Sequence, residues 1–209
     1  MNKKVLCALA FAAALLVFTN PAKAETIGPD CGSCNGATYT LSYSGDPSGT
    51  TLLITYSMDT SLAGFELPGS FVDNVGFKVS AGGSDPLASV ILVSAPGGTG
   101  NWSVALNSGI DANGCSGGGG GFVCADAVSP VATGGVLTWV FQVTNSSTAH
   151  WLLGTNEASI KARFVDGNGN KVGALVSEPI TLVPEPATLT LLGTGLLGVA
   201  GMVRRKRRA

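Results

Sequence analysis

Apolar and polar side chains alternate along the middle of the chain in short runs of period two. TYTLSYS (38–44), TLLITYSM (51–58), FVDNVGFKVS (71–80), ASVILVS (88–94), NWSVAL (101–106), VLTWVFQVT (136–144), ASIKARFV (158–165) and KVGALVSEPITLV (171–183) are rich in Val, Ile, Thr and aromatic residues. Alternation of this kind puts successive side chains on opposite faces of a strand, so Leu137, Trp139, Phe141 and Val143 are expected to share one buried face. Clusters of Gly, Pro, Ser, Asn and Asp separate the runs, as in SGDPSG, AGGSDP, APGGTG and GNGN, and mark turns. No stretch between them has a helical period. About eight short strands at this spacing predict an all-β fold, an antiparallel β-sandwich of jelly-roll type, over residues 25–182. Strand order is not legible from the pattern.

Both ends depart from it. Residues 1–24 open with Lys3 and Lys4, run apolar from Val5 to Phe18 and close on Ala22-Lys23-Ala24. A charged start, a short apolar run and a small-x-small end predict a secretory signal peptide cleaved between Ala24 and Glu25. At the other end, residues 187–203 hold 17 residues without a charge, followed by Arg204, Arg205, Lys206, Arg207 and Arg208. As a helix this run reaches about 25 Å, the lower limit for crossing a bilayer. Basic residues stay on the cytoplasmic side, so a single transmembrane helix with its N-terminus outside and the tail 204–209 inside is expected. Pro184 and Pro186 end the last strand ahead of it.

Charge changes the picture once the ends are set apart. The whole chain nets −1, but eight of its 12 cations lie in the two terminal segments. The stretch from Glu25 to Glu185 keeps only Lys78, Lys161, Arg163 and Lys171 against all 13 acids, a net charge of −9. Such a domain has no electrostatic footprint for nucleic acid, which is excluded as a partner.

Cysteine usage fits export. After the signal, four cysteines remain in two close pairs, Cys31 with Cys34 in CGSC and Cys115 with Cys124 in CSGGGGGFVC. In an oxidising compartment four cysteines allow three pairings, and local pairing is the simplest because glycines in each loop can bend it closed. Cross-pairing would instead tie the N-terminus to the central loop. A redox motif at Cys31 lacks its strand-to-helix context, and a four-thiolate zinc site is disfavoured by export. No metal or cofactor is therefore expected.

The remaining motifs have bland readings. Gly117 to Gly121 lack the Lys-Ser/Thr of a phosphate loop and are expected to form a flexible loop tied at both ends by cysteines. Asp166, Asn168 and Asn170 alternate as in calcium loops, but Lys171 and Ser177 stand where an EF-hand needs Gly and Glu, so a hairpin turn is expected. His150 is the only histidine, and no nucleophile motif accompanies it. No carboxylate pair is selected by spacing, so the chain is not expected to be an enzyme. Trp102 and Trp151 could stack on sugar rings if exposed, and are expected in core or rim packing. Asn101 and Asn145 head N-glycosylation sequons.

Val183-Pro184-Glu185-Pro186-Ala187-Thr188, the apolar segment LLGTGLLGVAGMV and the basic cluster RRKRR together resemble the PEP-CTERM sorting signal of exported bacterial proteins. The resemblance covers residues 183–209. It implies that Pro184, Glu185 and Pro186 are the recognition motif of exosortase, a membrane protease, and that Arg204 to Arg208 are retention charges. It further implies use of the secretion machinery, membrane insertion through the helix before processing, and a Gram-negative host that makes extracellular polysaccharide. The expected destination is the cell surface or biofilm matrix. Three functions remain open for residues 25–182: a structural or adhesive domain, a carbohydrate-binding module with exposed aromatics on one sheet face, and an extracellular hydrolase.

Overall fold

A computed structural model describes residues 26–81, 87–111, 114–148, 151–181 and 183–184. The expected signal segment, Glu185, Pro186, the helix 187–203, the tail 204–209 and His150 lie outside the described residues. The strands are β1 (Thr26–Ile27), β2 (Thr38–Ser44), β3 (Thr51–Asp59), β4 (Phe71–Lys78), β5 (Leu87–Ser94), β6 (Trp102–Asp111), β7 (Gly114–Ala132), β8 (Val136–Asn145), β9 (Ala158–Val165), β10 (Lys171–Ile180) and β11 (Val183–Pro184).

They form two sheets. Sheet 1 has the order β1-β2-β3-β8-β5, with β11 also paired to β2, and sheet 2 the order β10-β9-β4-β7-β6. Every pairing is antiparallel except that of β11 with β2, which is parallel. The final expected strand, 171–183, is therefore two strands that serve different sheets.

The period-two pattern explains which faces meet. Leu52, Ile54, Tyr56 and Met58 of β3 and Trp139, Phe141 and Val143 of β8 are buried, as are Val75 and Phe77 of β4 and Ile160, Ala162 and Phe164 of β9. Rings interlock between the layers. Phe77 meets Phe141 at a centroid distance of 4.9 Å, and Trp139 takes Trp102 edge-on at 5.3 Å and Tyr56 at 5.7 Å. Edge-to-face pairs of this kind add to the area they bury. The Tyr56 hydroxyl also crosses the core to donate to the Lys161 carbonyl at 3.4 Å. Two inward faces closed on each other in this way make a β-sandwich.

The glycine run departs from the expected loop. Gly117 and Gly118 lie within β7, opposite Gly109 and Ser108 of β6. Between Leu106–Val123 and Ser108–Gly118, Asn107 alone stands opposite residues 119–122, a wide bulge that the Cys115–Cys124 disulfide closes at its base. Backbone groups, not side chains, make this strand, so low side-chain content hid it. Gly121 sits at φ +80°, and a Cβ there would lie 2.1 Å from the Ser80 carbonyl oxygen, so glycine is needed for close approach. Asn107, at φ +51°, accepts the Gly121 N–H at 3.1 Å.

The Asp166–Asn170 segment is the expected hairpin turn between β9 and β10. Asp166 N–H donates to the Asn170 carbonyl at 2.8 Å, and the Asp166 carboxylate accepts the Asn168 and Asn170 backbone N–H groups at 2.8 Å each. The Asn170 side-chain amide also donates to this carboxylate at 3.1 Å, and that bond most strongly, with the backbone N–H of Asn170 next, holds the carboxyl below the ordinary aspartate range.

Candidate functional site

Four features carry the chemistry available among the described residues: two disulfides, a charged outer face, a hydroxyl-bearing outer face and a shared sheet edge.

Both disulfides are local. Cys31 joins Cys34 in the turn ahead of β2, and Cys115 joins Cys124 along β7. Cys34 is buried, its N–H returns to the Cys31 carbonyl at 3.1 Å, and its carbonyl accepts the Tyr39 hydroxyl at 3.2 Å. With their sulfurs in S–S bonds, none of the four cysteines among the described residues offers a thiolate to ligate zinc or attack a substrate in this state.

The outer face of sheet 2 gathers all four cations of the stretch 25–185: Lys78 on β4, Lys161 and Arg163 on β9, and Lys171 at the start of β10. Inward residues Ile160, Ala162 and Phe164 force the alternate positions Lys161 and Arg163 outward. The Arg163 guanidinium pairs with Asp73 at 2.5 Å and donates to Asn74 Oδ1 at 3.3 Å, while Asn74 Nδ2 donates to Asp126 Oδ1 at 2.7 Å. Burial pushes the Asp73 carboxyl above the ordinary aspartate value, against the pull of Arg163, and the Asp126 charge adds to the rise. Lys161 Nζ donates to the Ile110 carbonyl at 3.4 Å and lies 5.0 Å from the Phe122 ring centre. Next to this network runs a groove of about 180 Å³, lined by Ile110, Lys161, Arg163, Lys171, Ala174 and Val176 among others.

This network was not legible in the sequence. Asp73 and Arg163 are 90 residues apart and meet only because β4 pairs with β9. The one available signal was charge inside two largely apolar strands, Asp73 and Lys78 in β4 and Lys161 and Arg163 in β9. Chemically the network is an ion pair with hydrogen-bonded neighbours, in which Asp73 Oδ2 and Asp126 Oδ1 are engaged while Asp73 Oδ1 and Arg163 Nε are buried without a hydrogen-bond partner.

The aromatic residues singled out as sugar platforms are in the core. Trp102 and Trp151 are buried, their indole N–H groups bonded to the carbonyls of Pro96 at 2.8 Å and Gly49 at 3.0 Å. No aromatic side chain is among the exposed large hydrophobics of the described residues. The sequon asparagines are also engaged. Asn101 exchanges two hydrogen bonds with the Ser129 backbone, and Asn145 is buried against Ser80.

Sheet 1 turns a different outer face to solvent. Thr26 pairs its hydroxyl with Thr40 at 2.8 Å, Thr51 with Thr144 at 2.9 Å and Ser57 with Thr138 at 3.1 Å, so hydroxyls form rows across the strands.

Both expected processing boundaries reach one edge of this sheet. β1 pairs Thr26 with Thr40 and Ile27 with Tyr39, while β11 pairs Val183 with Ser42 and Pro184 with Tyr43. The chain that leaves the expected signal junction and the chain that enters the Pro184–Pro186 motif thus lie along the same margin of β2. Pro184 suits that place, because an edge strand can spare the N–H that proline lacks.

Residues 182–208 match the family model described as the PEP-CTERM protein-sorting motif. No curated protein matches the chain. Among solved structures the chain is similar to the carbohydrate-binding module CBM3b from the cellulosomal cellobiohydrolase 9A from Clostridium thermocellum. The identity is 12% and the TM-score 0.42, with 68% of this chain and 97% of that chain covered.

Proposed function

We propose that this chain is a non-enzymatic, exosortase-sorted protein of the cell surface or biofilm matrix of a Gram-negative bacterium, and that its jelly-roll-like sandwich, residues 25–182, is structural or adhesive. The carrying observation is the PEP-CTERM motif at 182–208, whose residues Val183 and Pro184 form β11, the last strand of sheet 1. In this reading residues 1–24 direct export through the secretion machinery and are cleaved after Ala24. The helix 187–203 then halts transfer, Arg204 to Arg208 hold the tail inside, and exosortase cuts near Pro184, Glu185 and Pro186. The pairing of β11 with β2 supports it, since the start of the motif, Val183 and Pro184, is held on an edge of sheet 1.

Contact with extracellular polysaccharide is the second reading. Ring stacking has no exposed aromatic platform among the described residues, so this reading rests on the hydroxyl rows of sheet 1, which suit hydrogen bonding to a neutral sugar chain.

The sorting reading is tested by Glu185→Ala in the native host. The variant is expected to accumulate in the inner-membrane fraction with its basic tail intact, while most of the wild-type chain reaches the surface or medium. Equal delivery of the two would show that the Pro-Glu-Pro motif does not direct this protein.

A further inference from the structure

β10 is an end strand of sheet 2. Its register with β9 slips between Leu175 and Glu178, so Val176 and Ser177 have no ladder partner there, and Ser177 stands at φ +46°. A bulge of this kind leaves backbone groups to be satisfied from elsewhere.

The turn between β1 and β2 of the other sheet meets them. Ser33 Oγ accepts the Val176 N–H at 3.3 Å and donates to Glu178 Oε1 at 2.7 Å, and Asn35 Nδ2 donates to the Ala174 carbonyl at 3.4 Å. Ala174, Val176 and Glu178 of β10 are thus all engaged from one short segment of sheet 1's approach. An end strand covered in this way has its pairing groups closed to other chains.

The segment that reaches across is the one the first disulfide closes. Asn35 at φ +50° and Gly36 at φ +74° stand in the left-handed region, which a residue other than glycine keeps only where its surroundings impose it. Cys34 supplies much of that constraint. It is buried, its N–H donates to the Cys31 carbonyl at 3.1 Å, and its own carbonyl accepts the Ala37 N–H at 3.0 Å and the Tyr39 hydroxyl at 3.2 Å. A bridge between residues only three apart constrains the unfolded chain less than a longer one does, so its main effect is on this local geometry.

We propose that Cys31–Cys34 is a redox-sensitive clip: oxidised, it holds Ser33 and Asn35 on the bulged edge of β10, and reduced, it frees that edge while the sandwich stays folded. Cys31 is half-buried and Cys34 fully buried, so a dithiol reductant attacks at Cys31. A mixed disulfide forms on Cys31, the Cys31–Cys34 bond breaks, and Cys34 leaves and takes up a proton. The second thiol of the reductant then displaces Cys31, which also takes up a proton, and the reductant departs as a disulfide. Two electrons and two protons have passed to the pair. The β10 edge is therefore sealed in an oxidising compartment and open in a reducing one.

The test is hydrogen exchange of the exported chain purified from its host, before and after dithiothreitol, with alkylation and mass identifying which cysteines are reduced. The Val176 amide is expected to exchange about tenfold faster once Cys31 and Cys34 are reduced, as suits the loss of one hydrogen bond and an ordered neighbour. Amides of Tyr56 and Phe141 in the central strands should stay slow, and reoxidation should restore Val176. Cys31→Ala/Cys34→Ala should show the fast exchange without reductant. Ser33→Ala, with the disulfide intact, should also speed Val176, which ties the effect to the hydroxyl. Three results would overturn the clip: a Val176 amide indifferent to reduction, a bond that dithiothreitol leaves closed in the folded chain, or loss of protection throughout both sheets when it opens.

Discussion

Replacing Trp139 with alanine is expected to destabilise the sandwich by about 3–5 kcal/mol, a large part of the roughly 5–15 kcal/mol that holds a domain together. Trp139 is fully buried and is the ring on which the two sheets meet, edge-on to Trp102 of sheet 2 and to Tyr56 of its own sheet. Alanine would remove both ring contacts and leave a cavity that β8, held between β3 and β5, cannot collapse to fill. Trp139→Phe is expected to cost far less. Its ring keeps most of the volume, and it removes an indole N–H that is buried without a hydrogen-bond acceptor. Urea denaturation of the wild type and both variants would check this order. Equal losses for Phe and Ala would mean that the edge-to-face geometry, not the filled volume, dominates.

Arg163→Met is expected to cost about 3–5 kcal/mol at neutral pH, because it strands the Asp73 carboxylate, whose side chain is only 10% exposed, without its countercharge. The double variant Arg163→Met/Asp73→Leu should recover most of that loss, since a buried ion pair replaced as a unit is often close to neutral. The pH dependence separates this from a packing effect. The Asp73 carboxyl is already raised by burial, and Arg163 works against that rise. A folded-state value above the unfolded one means that the folded chain binds the extra proton. Stability from that proton is full below the unfolded value and is lost as pH climbs through the folded value. Without Arg163 the folded value moves higher still. The deficit of Arg163→Met against the wild type should therefore be largest at neutral pH and shrink as pH falls through the Asp73 titration. A deficit that stays constant across that range would assign the loss to packing of the guanidinium.

These two residues also mark what a sequence discloses. Trp139 was legible, since alternate apolar positions in β8 point one way and the period alone places the ring inside. The same rule located β2, β3, β4 and β9. Arg163 was not legible, because its partner comes from a strand paired through the fold and period says nothing about pairing. The glycine run misled for a related reason. Its strand is built from backbone pairing to β6 and from contacts too close for a Cβ, neither of which leaves a side-chain pattern. β1 and β11, two residues each, are too short to show alternation, yet they close one margin of sheet 1. The sorting segment was readable at once because its parts are contiguous: tripeptide, apolar run and basic cluster in 27 residues, without help from the fold.

Sorting is also the claim on which the rest depends, and the mass of the exported protein tests it most directly. The full-length chain would be expressed in its own host, the cells fractionated, and the intact mass and C-terminal peptide of the recovered species measured. Sorting predicts a species that begins at Glu25, ends near Pro184 to Ala187 and appears in the surface or medium fraction. An inner-membrane species that still ends in RRKRRA would contradict it and leave a tail-anchored protein.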